Sequence, residues 1–280
     1  MAGELYVVAT PIGNLGDMVP RGIEALQSAD MVAAEDTRHS RRLLDHLGID
    51  KPLVAYHDHS GGARVDGLLQ ALRDGKTVAL VSDAGTPLIS DPGYRIVRQA
   101  RQEGIAVSPI PGPCAAVAAL SAAGLPTDRF TFEGFLPAKS AGRCKALQQL
   151  ANETRTMVFY EAPHRVLNCL QDMASVFGDD RDAVLAREVT KAFETFHGKP
   201  LAELVEIVAA DSNQQRGEIV LVVAGAEPRE QAAKSDEQQR VLGLLLQELS
   251  VKQASTLAAK ITGGNKKELY KLAVEMKAQS

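Results

Sequence analysis

The stretch TVALVSDAGTPLISDPGYRIVRQARQEG, residues 77–104, decides the fold of this chain. TVALVSD (77–83) opens as a short apolar run with no polar face, the pattern of a strand buried on both sides. GYRIVRQARQEG (93–104) carries the 3.6-residue period of a helix. Between them lie two corners, Ser82-Asp83-Ala84-Gly85-Thr86-Pro87 and Ser90-Asp91-Pro92-Gly93. Proline fixes φ in each, and glycine lets the backbone turn or approach a ligand closely. The first corner is expected to serve a ligand. The second suits a helix start, with Asp91 as N-cap and Pro92 in the first helical position.

A strand, a stiff loop and a helix make one β/α unit, and the same alternation runs upstream. ELYVVA (4–9) and DMVAAED (30–36) read as buried strands and GIEALQSA (22–29) as a helix. This order predicts a mostly parallel sheet between helices, with ligands received beyond the carboxyl ends of the strands. AVSPIPGPC (106–114), with its three prolines, closes this half, and a first α/β domain is expected over 1–113. A small-residue helix, CAAVAALSAAG (114–124), opens the next half. Strand candidates follow at 129–135, 156–162, 183–189 and 218–225, with helices at 166–177 and 201–209. A second α/β domain is therefore expected over 114–226, facing the first. The polar stretch AEPREQAAKSD (226–236) reads as a linker. Three closely spaced helical segments then predict a helical, helix-turn-helix-like domain over 236–280. Ser250 with Gln253 and Asn265 with Glu268 fit capping boxes.

Composition narrows the function. With 280 residues, 45% hydrophobic and 24% charged, the chain can bury a sizeable core, which excludes disorder. No apolar run reaches the ~18–20 residues of a membrane span, and MAGELYVVATP has no signal-peptide pattern; a cytoplasmic protein without a membrane partner is expected. Three scattered cysteines, Cys114, Cys144 and Cys169, fit free thiols in a reducing compartment rather than disulfides or zinc. A net charge of -4 excludes a uniformly basic surface. From Ser235 onward, however, seven basic residues face five acidic ones, and Lys266 and Lys267 at a helix start could meet nucleic acid as readily as the helices could form a dimerisation module. Neither GxGxxG nor GxxxxGK[ST] is present. ATPIGNLGD (9–17) follows the first strand without the lysine that would reach a phosphate, which disfavours ATP.

Taken together, ATPIGNLGD, AAEDTRHS, HDH, SDAGTPLISDPGY, IPGPCAAVAALSAAGLPTDRF, EGFLPAK, YEAPHR, REVTKAFETFHG and GEIVLVVAG resemble the tetrapyrrole-methylase-like class of S-adenosylmethionine-dependent methyltransferases. Within that class the chain is similar to the bacterial small-subunit ribosomal RNA (cytidine) 2′-O-methyltransferases. The resemblance implies two α/β domains with S-adenosylmethionine in the cleft between them, a homodimer, and methyl transfer to a ribose hydroxyl of 16S ribosomal RNA in the 30S subunit. It places the cofactor against Pro11, Asp83, Ala84, Gly85, Thr86, Cys114, Ala115, Glu161 and Ala162, with Leu221 and Val222 in the apolar wall. Ser-Asp-Ala-Gly stands where tetrapyrrole methylases usually show Gly-Asp-Pro, which argues against a porphyrinoid substrate.

Methyl transfer from a sulfonium is an in-line displacement, so alignment of the acceptor oxygen and removal of its proton carry the chemistry. Asp36 and Arg38 in AAEDTRHS, and His57 and Asp58 in YHDHS, are the catalytic candidates. His57 and His59 without a third ligand do not make a metal site, and no metal is expected. Arg38, Arg41, Arg42, Lys139, Arg143, Arg165, Lys266 and Lys267 are the candidates for holding RNA. Two other functions remain open to the sequence: a methyltransferase for a tetrapyrrole precursor, and a non-catalytic RNA-binding assembly factor.

Overall fold

The computed structural model describes residues 3–56, 62–227 and 229–278. The first lobe runs β1 (Glu4–Val8), α1 (Pro20–Ser28), β2 (Met31–Ala34), α2 (Thr37–His46), β3 (Leu53–Ala55), α3 (Gly62–Arg73), β4 (Val78–Val81), α4 (Tyr94–Gln102) and β5 (Ala106–Ile110). Its sheet has the order β3-β2-β4-β1-β5, and every pairing is parallel. All four residues of β4 are buried, because helices cover both faces of the sheet. Leu26 of α1 and Leu44 of α2 pack with Val32, Ala79 and Val81 on one face. Leu68, Leu69 and Leu72 of α3 and Ile96 of α4 pack with Leu5, Val78 and Leu80 on the other.

The second lobe contains α5 (Ala115–Ala122), β6 (Phe130–Phe135), α6 (Ser140–Leu150), β7 (Thr156–Glu161), α7 (Val166–Phe177), β8 (Asp182–Arg187), β9 (Thr195–Pro200), α8 (Leu201–Ala210) and β10 (Ile219–Val223). The sheet order is β6-β7-β10-β8-β9. Only β6 and β7 run parallel, and the remaining pairs are antiparallel. The pleat sends alternate residues of β10 to opposite faces. Leu221 joins the core formed with α7 and α8, while Val220 and Val222 pack against Ala116 and Ala119 of α5.

Both lobes belong to one compact unit, Met1–Ala151 with Arg155–Ala224. A second unit, Asn152–Thr154 with Gly225–Ser280, holds α9 (Arg229–Glu248), α10 (Val251–Thr262) and α11 (Lys266–Ala278). Leu242, Ala254, Ala258, Leu269 and Ala273 form its core. Ser250 and Gln253 make the expected capping box at the start of α10; the Asn265 side chain accepts a hydrogen bond from the Lys267 N–H.

Three local expectations change. α9 begins at Arg229, inside the stretch read as a linker, because its alanine-rich and charged residues favour a helix even without an apolar stripe. β9 adds a strand where Gly198 and Pro200 had hidden one. α4 starts at Tyr94, with Gly93 at the N-cap in the left-handed region (φ 142°) and no side-chain cap, so Asp91 does not cap it. Among the described residues no helix is long and apolar enough to cross a membrane.

Candidate functional site

Every strand of the first sheet points its carboxyl end the same way, which gathers the loops after β1, β2, β4 and β5 at one edge. These loops are stitched to one another. Thr10 and Gly85 exchange both backbone hydrogen bonds, at 2.9 and 3.0 Å. The Thr86 hydroxyl donates to the Pro113 carbonyl at 2.9 Å, and the Asp36 N–H donates to Asp83 Oδ1 at 3.0 Å. Gly85 is left-handed (φ 79°), and a Cβ there would press on Ile12 at 3.3 Å. The polar groups expected to await a ligand at this corner thus largely hold the loops in place. Ala84, Gly85 and Thr86 nevertheless wall a cleft between the two lobes, a cavity of about 370 Å³.

The opposite wall comes from the second lobe: Phe135 at the end of β6, Tyr160 to Pro163 at the end of β7, and Gly217 to Val220 at the start of β10. Tyr160 accepts a hydrogen bond from the Ala116 N–H at 3.2 Å, satisfying one of the free donors of the first turn of α5. Its ring meets Phe132 and Phe135 edge-on at 5.0 and 5.6 Å. Burial, then the neighbouring Cys114 thiol, push the Tyr160 phenol well above its ordinary value, so it stays protonated. Among the described residues three carboxylates line the cleft, Asp91, Glu161 and Glu218, and no lysine or arginine does. Glu161 is tied to the Ala162 N–H at 2.7 Å and to Arg165 Nε at 3.0 Å. Asp91 lies half-buried with its carboxyl raised, first by burial and further by the charge of Asp83, against a hydrogen bond from Ser82. The second corner therefore belongs to the cleft. Leu88 (φ 73°) and Ser90 (φ 65°) hold strained conformations beside it, as functional loops often do.

A smaller cavity of about 200 Å³ lies on the other side of the β4 loop, lined by Pro11, His39, Ser40, Arg42 and Asp83. Pro11 and Asp83 thus face this cavity, not the cleft between the lobes. Asp36 caps α2 by accepting from the Arg38 N–H at 2.8 Å and pairs with the Arg38 side chain at 3.1 Å. The Arg38 hydrogen bond holds its carboxyl down to about 2, which makes it a weak proton acceptor at neutral pH. His57, Asp58 and His59 lie outside the described residues.

The remaining candidates scatter. Cys114 stands at the N-cap of α5, and it is Ala115 that reaches the cleft. Leu221 and Val222 are fully buried in the cores described above, and their neighbours Ile219 and Val220 supply the wall. Arg143 is 2% exposed and salt-bridged to Asp172 at 2.6 Å, which leaves it no surface for a phosphate. Arg165 is held by Glu161 and by the Leu136 carbonyl at 2.6 Å. Arg41 reaches Asp50 at 3.5 Å. Lys139, Lys266 and Lys267 are exposed. Sequence reasoning passed over Phe135 and Tyr160, and read Asp91 as a helix cap, the place Gly93 takes, rather than as part of the cleft. The signal for Phe135 and Tyr160 was position, since both stand at the carboxyl end of a strand, whereas Asp91 lies farther along the loop after β4.

Residues 4–205, which form most of the two α/β lobes and of the cleft wall, match the Tetrapyrrole (Corrin/Porphyrin) Methylases, and the chain belongs to that family. Its fold is similar to uroporphyrin-III-C-methyltransferase from Thermus thermophilus, with a TM-score of 0.56 and 21% identity over 79% of this chain and 94% of that one. Diphthine synthase gives a TM-score of 0.59 at 16% identity, over 79% and 90% of the two chains. Within the family, the chain is 57% identical over 280 residues to ribosomal RNA small subunit methyltransferase I of Pseudomonas aeruginosa, covering 100% of this chain and 99% of the relative. The protein of that name in Escherichia coli O157:H7 is 54% identical over 98% of this chain and 95% of its own length. The one in Synechocystis is 46% identical over 99% of both. Residues 232–277 match the RsmI C-terminal HTH domain. The chain is an enzyme, a methyltransferase that draws on a methyl donor.

Proposed function

We propose that this enzyme transfers the methyl group of S-adenosylmethionine to the 2′-hydroxyl of a cytidine in 16S ribosomal RNA, acting on the assembled 30S subunit. The observation that carries the donor is the lining of the cleft, which among the described residues has three carboxylates, no basic side chain, and apolar walls from Ile12, Ile89, Phe135 and Val220. Glu161 and Glu218 are paired with Arg165 and Lys191, so Asp91 is the carboxylate a sulfonium nucleoside would meet, while a phosphate would find no basic partner among the described lining residues. Ala84 to Thr86, Ala115, Ala162 and Ile219 would hold the donor, which when bound supplies the methyl group. The residues around it exclude water and fix direction, which is the main demand of an in-line displacement. Asp36 contributes by anchoring Asp83 and the start of α2.

The shared name of relatives at 46–57% identity supports ribosomal RNA as acceptor over a tetrapyrrole precursor, and supports catalysis over a purely structural assembly role. A second copy of the chain, as the family resemblance implies, would have large apolar side chains to cover on the second lobe, such as Val117, Phe130 and Phe193. The helical unit over 236–280 would serve as a separate RNA-contacting or dimer-forming domain. Calorimetric titration with S-adenosylmethionine, followed by nucleoside mass spectrometry of 30S subunits incubated with enzyme and donor, tests this directly. Expected are saturable donor binding and new 2′-O-methylcytidine; methylation of a base, or none, would refute the assignment.

A further inference from the structure

The small cavity behind the β4 loop holds a polar group that the fold itself leaves unsatisfied. Ser40 is 4% exposed and lines the cavity, and its hydroxyl has no hydrogen-bond partner among the described residues. Buried polar groups are ordinarily paired, and an orphan at a cavity wall marks a place where something outside the chain completes the bond. Next to it on α2 stands Arg42. Its neighbours are engaged, Arg38 with Asp36 at 3.1 Å and Arg41 with Asp50 at 3.5 Å. No hydrogen bond or ion pair occupies Arg42 among the described residues, and it too lines the cavity. The opposite wall carries Asp83, whose Oδ1 is fixed by the Asp36 N–H at 3.0 Å.

We propose that this cavity seats the ribose–phosphate of a nucleotide flanking the acceptor in the RNA chain, with Arg42 on the phosphate, the Ser40 hydroxyl completing its bond to the same unit, and Asp83 receiving a ribose hydroxyl. A free anion would meet Asp83 as a like charge, and a neutral sugar would leave Arg42 without use. A nucleotide of an RNA chain answers the cation, the hydroxyl and the carboxylate at once. The segment Ser82–Thr86 walls both spaces, the cavity through Ser82 and Asp83 and the cleft through Ala84 to Thr86, so a nucleotide seated here lies one loop away from the donor and leaves its neighbour in the RNA chain to enter the cleft. The inference rests on the proposed RNA methylation and goes beyond it by naming where the RNA chain beside the acceptor is held.

The test uses the full-length enzyme, 30S subunits lacking the modification, and labelled S-adenosylmethionine. Removing the Ser40 hydroxyl (Ser40→Ala) is expected to raise KM for 30S by about 10-fold, leave donor Kd unchanged, and leave thermal stability the same or higher, since no internal bond is lost. Arg42→Gln is expected to raise KM similarly and to lower the salt dependence of 30S binding by about one counterion. Unchanged KM in both variants, with an active wild type, would overturn the cavity assignment alone. A fall in stability of Ser40→Ala with unchanged KM would do the same, by showing the hydroxyl to be bonded internally through water. A wild type that binds donor yet methylates no ribose would overturn the functional proposal and the flanking-nucleotide site with it.

Discussion

Lys191, on the second lobe, lies across Gly13 of the β1–α1 loop, so that a Cβ at Gly13 would fall 2.4 Å from Lys191 Cγ. The lysine reaches that position between two carboxylates, Glu188 at 2.8 Å and Glu218 at 3.0 Å, beside the cleft. Gly13 also has φ 154°, a conformation costly for other residues. Gly13→Ala is therefore expected to cost roughly 1–3 kcal/mol, through strain and through displacement of Lys191 from its partners. The lysine stem is flexible, so the two contributions can be separated. In a double-mutant cycle, Gly13→Ala in a Lys191→Ala background should lose less stability than in the wild type. Additive melting shifts would show that the contact carries no energy.

Tyr160 holds the first turn of α5 through the Ala116 N–H. Tyr160→Phe keeps the ring and its edge contacts with Phe132 and Phe135 but strands that donor, at an expected cost of about 1 kcal/mol. Hydrogen exchange at the Ala116 amide should quicken while exchange in β7 stays unchanged. Equal protection at Ala116 in both proteins would mean that the hydroxyl does not hold the helix start.

The parts of the fold hidden from the sequence share a physical cause. β3 and β5 close the two ends of the first sheet and β9 closes one end of the second. Edge strands need neither a long apolar run nor a full set of N–H donors, so Pro109 in β5 and Pro200 in β9 are tolerated there. The same prolines argue against a strand when only the sequence is considered. Central strands such as β4 and β10, apolar on both faces, were plain. α2 escaped notice because it buries little beyond Ser40 and Leu44. In the site, the loop after β4 was legible as a ligand corner. What could not be read was that Gly85 would spend its N–H and C=O on Thr10, or that Asp91 would turn toward the cleft once Gly93 took the N-cap. Both depend on partners distant in the chain.

Arg143 and Lys139 sit four residues apart and should behave oppositely. Arg143 is buried against Asp172 and also donates to the Ala138 carbonyl at 3.3 Å, so Arg143→Ala leaves a poorly solvated carboxylate and is expected to cost about 3 kcal/mol. Lys139 is exposed at the start of α6. Lys139→Ala should leave the melting temperature unchanged and, if the side chain touches RNA, reduce the salt slope of 30S binding by about one. Chemical denaturation and filter binding at several salt concentrations give both readouts. A stable Arg143→Ala protein with weakened RNA binding would reverse the assignment.

Asp91 should trade stability against donor affinity. Burial, then the charge of Asp83, raise its pKa in the folded chain above the ordinary value of 3.8. A carboxyl with a raised folded pKa favours folding most below its unfolded pKa, and that contribution is lost as pH rises through the folded pKa. At neutral pH the ionised Asp91 therefore weighs against the empty enzyme. Asp91→Asn is expected to melt at a higher temperature than wild type at pH 7, with the difference shrinking as pH falls toward 4. The same charge favours a sulfonium in the cleft, so the variant should bind S-adenosylmethionine about 10-fold more weakly at pH 7. Wild-type affinity should weaken on acidification as Asp91 takes up its proton, while the variant's stays flatter across that range. Calorimetry of both proteins between pH 4 and 8 checks the pair of effects, and equal donor affinity at pH 7 would show that Asp91 does not face the cation.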